Sequence, residues 1–84
     1  MSLTGLKNLG PVSVKRLAEV GITTREQLAA AGAVGVYRQF KARDIPVSLN
    51  MAYAVEGALL DMHWAQLPGE LKERLRQACR DVSS

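Results

Sequence analysis

Helix stop and start signals recur along the whole chain, and they constrain its fold more than any other feature. Gly10-Pro11, Gly21, Gly32, residues 44–46 and Pro68 each punctuate a stretch whose apolar residues return at helical spacing. No stretch alternates apolar and polar residues with the β-branched and aromatic content of a strand. Helices this short are marginal alone in water, so they must bury their apolar faces against one another. The expected fold is all-α: one domain over residues 1–84, a compact bundle of five or six short helices.

The individual segments follow from local chemistry. Leu3 to Lys7 can form a short first helix, closed by a tight turn at Asn8-Leu9-Gly10. Pro11 suits the first position of a second helix, because its missing N–H is not needed there. Gly21 suits the left-handed residue after that helix. Thr23-Thr24-Arg25-Glu26 reads as a capping box with Thr23 as the cap, opening a helix to about Ala31 that Gly32 ends. A further helix from Ala33 to Ala42 turns Val36, Tyr37 and Phe40 inward and leaves Arg38, Lys41 and Arg43 in water.

Residues 44–47 form the clear connector between the two halves. Ser48 caps the central helix, expected over residues 49–62, where only Asn50, Glu56 and Asp61 are strongly polar. Gly57 within it costs about 1 kcal/mol against Ala, and a close helix crossing would compensate. His63-Trp64 is expected to close that helix, with Leu60 and Trp64 anchoring it on the last one. Met51 and Met62 are expected in the core. Pro68 opens the last helix, where Leu67, Leu71, Leu75, Ala78, Cys79 and Val82 form an apolar stripe and Glu70 pairs with Arg74.

Several functional classes lack their parts. One His and one Cys cannot build a zinc cluster, and no nucleophile elbow, phosphate-binding glycine loop or dinucleotide fingerprint is present. No catalytic residue, cofactor or metal is expected. Cys79, the single cysteine, cannot form an internal disulfide and falls on the apolar stripe, which favours a reduced, cytoplasmic setting. No run approaches the roughly 20 apolar residues of a membrane span. The net charge of +3 is unevenly spread. Residues 1–43 carry seven Lys/Arg against two Glu, a balance of +5, whereas residues 44–84 carry four against six acidic residues, a balance of −2. A polyanion would approach the first half.

The stretch Leu6-Lys7-Asn8-Leu9-Gly10-Pro11-Val12-Ser13-Val14-Lys15-Arg16-Leu17 resembles a helix-hairpin-helix motif. Gly10 permits the turn, and the opening N–H groups of the next helix, those of Val12 and Ser13, point outward as an anion site. Lys15 and Arg16 add charge one turn on. The motif usually has Gly where this chain has Asn8, and Asn tolerates the left-handed geometry. Where DNA-binding hairpins often carry Lys, this chain has Val12. Asn8-Leu9-Gly10-x-x-Ser13 is also similar to the DNA-contacting hairpin in the C-terminal domain of the alpha polypeptide of bacterial RNA polymerase.

A wider pattern spans nearly the whole chain: Leu6-x-Asn8-Leu9-Gly10-x-x-Ser13, Val20-Gly21-Ile22-x-Thr24 with Leu28 and Gly32-Ala33, Ala52-Tyr53-Ala54-x-Glu56-Gly57-Ala58, and His63-Trp64-x-x-Leu67-Pro68. It resembles the C-terminal domain of the TfoX/Sxy family, bacterial regulators of natural competence for DNA transformation. The resemblance implies a helix-hairpin-helix or SAM-like domain with a regulatory, non-enzymatic role. Members often carry a separate N-terminal domain, so the chain is expected to be a stand-alone member or a piece of a longer one. The residues expected to face nucleic acid are Asn8, Gly10, Val12, Ser13, Lys15 and Arg16 on the hairpin, with Arg38 and Lys41. The expected partner is duplex DNA, held through its phosphates. The alternative is a protein of the transcription machinery docked on the hairpin and the basic helix. A third reading is an architectural domain that dimerises through the last helix.

Overall fold

A computed structural model describes residue 3 and residues 6–83, for Ser83 the backbone alone. Four α-helices and one 3-10 turn follow in order: α1 (Pro11–Glu19), α2 (Arg25–Ala42), α3 (Leu49–Leu60), the turn Trp64–Gln66, and α4 (Gly69–Ser83). No strand occurs among the described residues. The expected third and fourth helices follow one another within α2, which breaks at Gly32 (φ 72°, ψ 171°), the residue expected to separate them. The helix expected over residues 3–7 includes residues 4 and 5, which lie outside the described set. Leu3 sits in a bend, and Lys7 and Asn8 in a turn instead.

Three helices end by the same device. In each, a residue in the left-handed region reverses the chain, and the next residue's N–H reaches back to a carbonyl five positions earlier. Gly21 (φ 82°) does this for α1, with Ile22 N–H on Leu17 O at 2.9 Å. Asp44 (φ 60°) does it for α2, with Ile45 N–H on Phe40 O at 2.9 Å. Asp61 (φ 56°) does it for α3, with Met62 N–H on Gly57 O at 2.8 Å. In the first two, an apolar residue after the turn folds back toward the helix it ends. Because Asp61 reverses the chain, α3 stops at Leu60, two residues before the expected end.

That early stop overturns the expectation for Leu60 and Trp64. Leu60 is 50% exposed and Trp64 36%, so neither anchors α3 on α4. The core is built instead from Leu3, Leu17, Leu28, Val36, Phe40 and Val55, all fully buried, with Leu67, Leu75 and Cys79 from the last stretch of chain. Met51 packs against this core, whereas Met62 stays outside it. Helix α2 packs most extensively on α3 and then on α4. Helix α1 buries only Leu17 and lies at the edge with its basic face open.

Local chemistry corrects three further details. The cap of α2 is Thr24, whose hydroxyl accepts from Gln27 N–H at 3.1 Å, while Gln27 Oε1 accepts from Thr24 N–H at 3.2 Å and Thr23 N–H at 2.8 Å. Both Thr23…Glu26 and Thr24…Gln27 fit the pattern, and burial of Ile22 and Leu28 is met with the later one. Ser48 occupies the cap position of α3 without making a side-chain cap. On α4 the ion pair is Glu73–Arg76 at 2.6 Å, in place of Glu70–Arg74. That contact holds the Arg76 guanidinium above its ordinary pKa through the hydrogen bond and charge of Glu73.

Candidate nucleic-acid interface

Helix α1 begins with its donors uncovered. Gly10 is the cap residue, so no side chain accepts from the first N–H groups, and Pro11 removes one of them. Val14 N–H is the first to bond within the helix, to Gly10 O at 3.0 Å. The N–H groups of Val12 and Ser13 therefore face outward, and no acidic residue lies in the first turn to compete for them. Lys15 is exposed one turn later, and Val12 stands 67% exposed beside it.

Asn8 does a different job from the one its place in the motif suggests. Its φ of 68° makes the turn, as its tolerance of left-handed geometry predicts. Its side chain is committed inside the protein. Nδ2 donates to Ala54 O at 3.3 Å and Met62 O at 3.0 Å, and Oδ1 accepts from Trp64 N–H at 3.1 Å. One amide thus ties the turn before α1 to α3 and to the chain reversal after it. Gly57 is the floor of this clasp: a Cβ there would lie 2.5 Å from Asn8 Nδ2 and 2.6 Å from Met62 O. The close approach expected at Gly57 is real, but it is to a loop, not to another helix.

Several cations are spoken for in the same way. Arg16 donates to Pro46 O at 3.2 Å, Lys7 to Asp61 O at 3.2 Å, Arg25 to Leu59 O at 3.1 Å and Lys72 to Ala65 O at 3.4 Å. Helix α3 has no basic residue in its last turn, and Lys7 and Arg25 bring positive charge to its C-terminal end from elsewhere in the chain. The basic balance of the first half is therefore partly structural.

Three of the expected cations share one region. A cleft of about 410 Å³ between α1 and the connector is lined by Val12, Lys15, Arg16, Glu19, Ile45 and Pro46. Lys41 lies on the other side of the same connector, in a hollow it shares with Asp44, Ile45, Pro46 and Val47, and its ammonium sits 5.6 Å from the Tyr37 ring centre. Arg38 belongs elsewhere: it lines a groove between α2 and α4 with Val34, Ala78, Asp81 and Val82. Among the described residues, no group of three His, Cys, Asp or Glu could hold a metal ion. No helix among them is long and apolar enough to cross a membrane. Cys79 is buried, and that burial pushes its thiol pKa up.

The TfoX C-terminal domain matches residues 1–79. The chain belongs to that family. A crystal structure of an uncharacterized protein from Listeria monocytogenes, in a triclinic form, has the same fold as this TfoX C-terminal domain, with a TM-score of 0.90. The two are 26% identical, over 100% of this chain and 96% of that one. Nothing among curated proteins matches the sequence.

A second groove in this TfoX C-terminal domain escaped the sequence reading. It measures about 260 Å³ and opens between the start of α1 and the start of α3, lined by Asn8, Ser13, Ser48, Asn50, Met51, Ala54 and Trp64. Trp64 is fixed by the His63 ring, stacked at 5.7 Å, and by the Lys72 ammonium, 5.6 Å from its ring centre. His63 Nδ1 accepts from Ala65 N–H at 3.1 Å, which sets the 3-10 turn that presents the indole. A lone tryptophan just past a helix end was the available signal. Helical periodicity assigned it to the core because it took α3 to be longer.

Proposed function

We propose that this TfoX C-terminal domain is a non-enzymatic regulatory module of the competence type. It contacts nucleic acid through the open face of α1, in the manner of one half of a helix-hairpin-helix. The supporting observation is the first turn of α1. There the Val12 and Ser13 N–H groups are unpartnered, no carboxylate is nearby in the turn, and Lys15 is free one turn on. Such an array holds phosphate oxygens and carries little sequence information. Lys41 extends the face across the connector. Asn8 and Gly10 shape the turn, Arg16 fixes the connector, and Arg38 stands apart.

The contact set amounts to two or three phosphates. Binding to a labelled duplex should then weaken with salt at a log–log slope of about −2 to −3. Lys15→Glu and Lys41→Glu should each lower that slope by about one, and Arg38→Glu should leave it unchanged. Absence of binding at low salt, or a slope indifferent to Lys15→Glu, would refute the phosphate contact. Val12 favours a second reading. An exposed valine on the rim of a cleft with Ile45 and Pro46 suits a protein partner, and such binding would fall with Val12→Asp and respond weakly to salt.

A further inference from the structure

The groove between α1 and α3 differs in chemistry from the basic face beside it. Its lining carries no charged side chain. Ser13, Ser48 and Asn50 line it with hydroxyl and amide groups, none in a side-chain hydrogen bond, while Met51 supplies apolar surface. Trp64, the sole tryptophan of the chain, lines it too and is 36% exposed. An uncharged site with an aromatic ring and free amide and hydroxyl groups matches a planar, neutral, hydrogen-bonding ligand. No cation lines the groove; the Lys72 ammonium over the Trp64 ring donates to Ala65 O.

We infer that this groove takes an unpaired nucleobase, so that the nucleic acid held on α1 is single-stranded or locally opened rather than intact duplex. The inference rests on the nucleic-acid reading of α1 and specifies its ligand. Ser13 belongs both to the first turn of α1 and to the groove, so a strand whose phosphate lies at α1 can present its next base to Trp64. The base stacks against the exposed part of the indole, and its edge meets the Asn50 amide and the serine hydroxyls. The His63 ring stacks on the indole and the Lys72 ammonium lies over it, so the ring is already held in place and a base meets the part that these two leave exposed. In a closed duplex the bases are paired and stacked, and this surface has nothing to grip.

The test uses the full 84-residue chain with two probes at one ionic strength: an oligothymidine of about a dozen nucleotides, which cannot pair with itself, and a mixed-sequence duplex of similar length. Anisotropy of the labelled probe gives affinity, and the single tryptophan reports stacking directly. The expected result is single-strand binding about tenfold or more tighter than duplex, with quenched Trp64 emission. Trp64→Leu and Asn50→Ala should each weaken the single strand about fivefold or more and leave the duplex unchanged. Both side chains are exposed, and a thermal melt checks that each variant is folded. Equal or tighter duplex binding, or single-strand affinity indifferent to Trp64→Leu and Asn50→Ala, overturns the nucleobase site while leaving phosphate contact at α1 intact. Failure of both probes to bind overturns both readings and leaves the groove to a protein ligand.

Discussion

Asn8 should matter for stability far more than an exposed turn residue normally would. Its side chain makes three hydrogen bonds to chain segments roughly fifty residues away, at 3.0, 3.1 and 3.3 Å. Each is neutral and contributes about 1 kcal/mol net. The bond from Trp64 N–H lies in an exposed stretch where water can replace it, so roughly 2 kcal/mol depends on the amide. Asn8→Gly loses these bonds but relieves the Cβ held at the left-handed φ of 68°, which offsets about 0.5–1 kcal/mol, so it should cost about 1–1.5 kcal/mol. Asn8→Ala keeps a Cβ in that region and loses the amide, so it should cost the full roughly 2 kcal/mol. Asn8→Asp keeps the acceptor for Trp64 but sets a carboxylate against the Ala54 and Met62 carbonyls, so it should be at least as harmful as Gly. Urea melts followed by circular dichroism measure all three. For a domain this small a loss of about 2 kcal/mol lowers Tm by about 8–16 °C. Asn8→Ala and Asn8→Gly both within about 0.5 kcal/mol of the parent would refute the clasp.

The clasp makes Gly57→Ala harmful although alanine favours helix by about 1 kcal/mol; the new Cβ would crowd Asn8 Nδ2 and Met62 O, and the net loss should be about 1–3 kcal/mol in the same melts. Asp44→Gly should do the opposite, because the left-handed position after α2 suits glycine and no hydrogen bond or ion pair of the Asp44 side chain is lost; a gain of about 0.5–1 kcal/mol is expected, and a loss would contradict the chain-reversal account. The Cys79 thiol should resist a disulfide-exchange reagent at mildly alkaline pH until urea unfolds the domain, since burial both shields it and raises its pKa; rapid labelling of the native protein would contradict this.

The helical architecture was legible because its punctuation is chemical. Pro11 at the first position of α1, Gly21 after its end and Gly32 at the break in α2 each stand where their backbone preferences require. The apolar stripe of α4 reads directly as burial of Leu67, Leu75 and Cys79. The hidden part was a second spelling of the same signal. Asp44-Ile45 and Asp61-Met62 end helices as Gly21-Ile22 does, with aspartate in place of glycine. Missing Asp61 lengthened α3 by two residues and carried Trp64 into a core it does not enter.

The candidate site was legible in its backbone and less so in its charges. An uncapped helix start after Gly10-Pro11 follows from sequence, as does an exposed Lys15. Lys7, Arg16 and Arg25 donate to backbone carbonyls distant in sequence, and no local pattern marks a cation for that use. Arg38 and Lys41 lie three apart on α2, yet they face different grooves, because Arg38 packs beside α4 and Lys41 beside the connector. The groove at Trp64 needs three separated segments to meet, so it exists only in the folded chain.

The most direct measurement for the interface is a titration of the isotopically labelled domain with a short oligonucleotide, following each backbone amide by NMR. Contact at the open end of α1 predicts the largest shifts at the Val12 and Ser13 amides, with smaller ones at Lys15 and Lys41 and none near Arg38, and all should collapse as salt rises. Shifts confined to α4 and the Arg38 groove, or unmoved Val12 and Ser13 amides at saturating oligonucleotide, would contradict it.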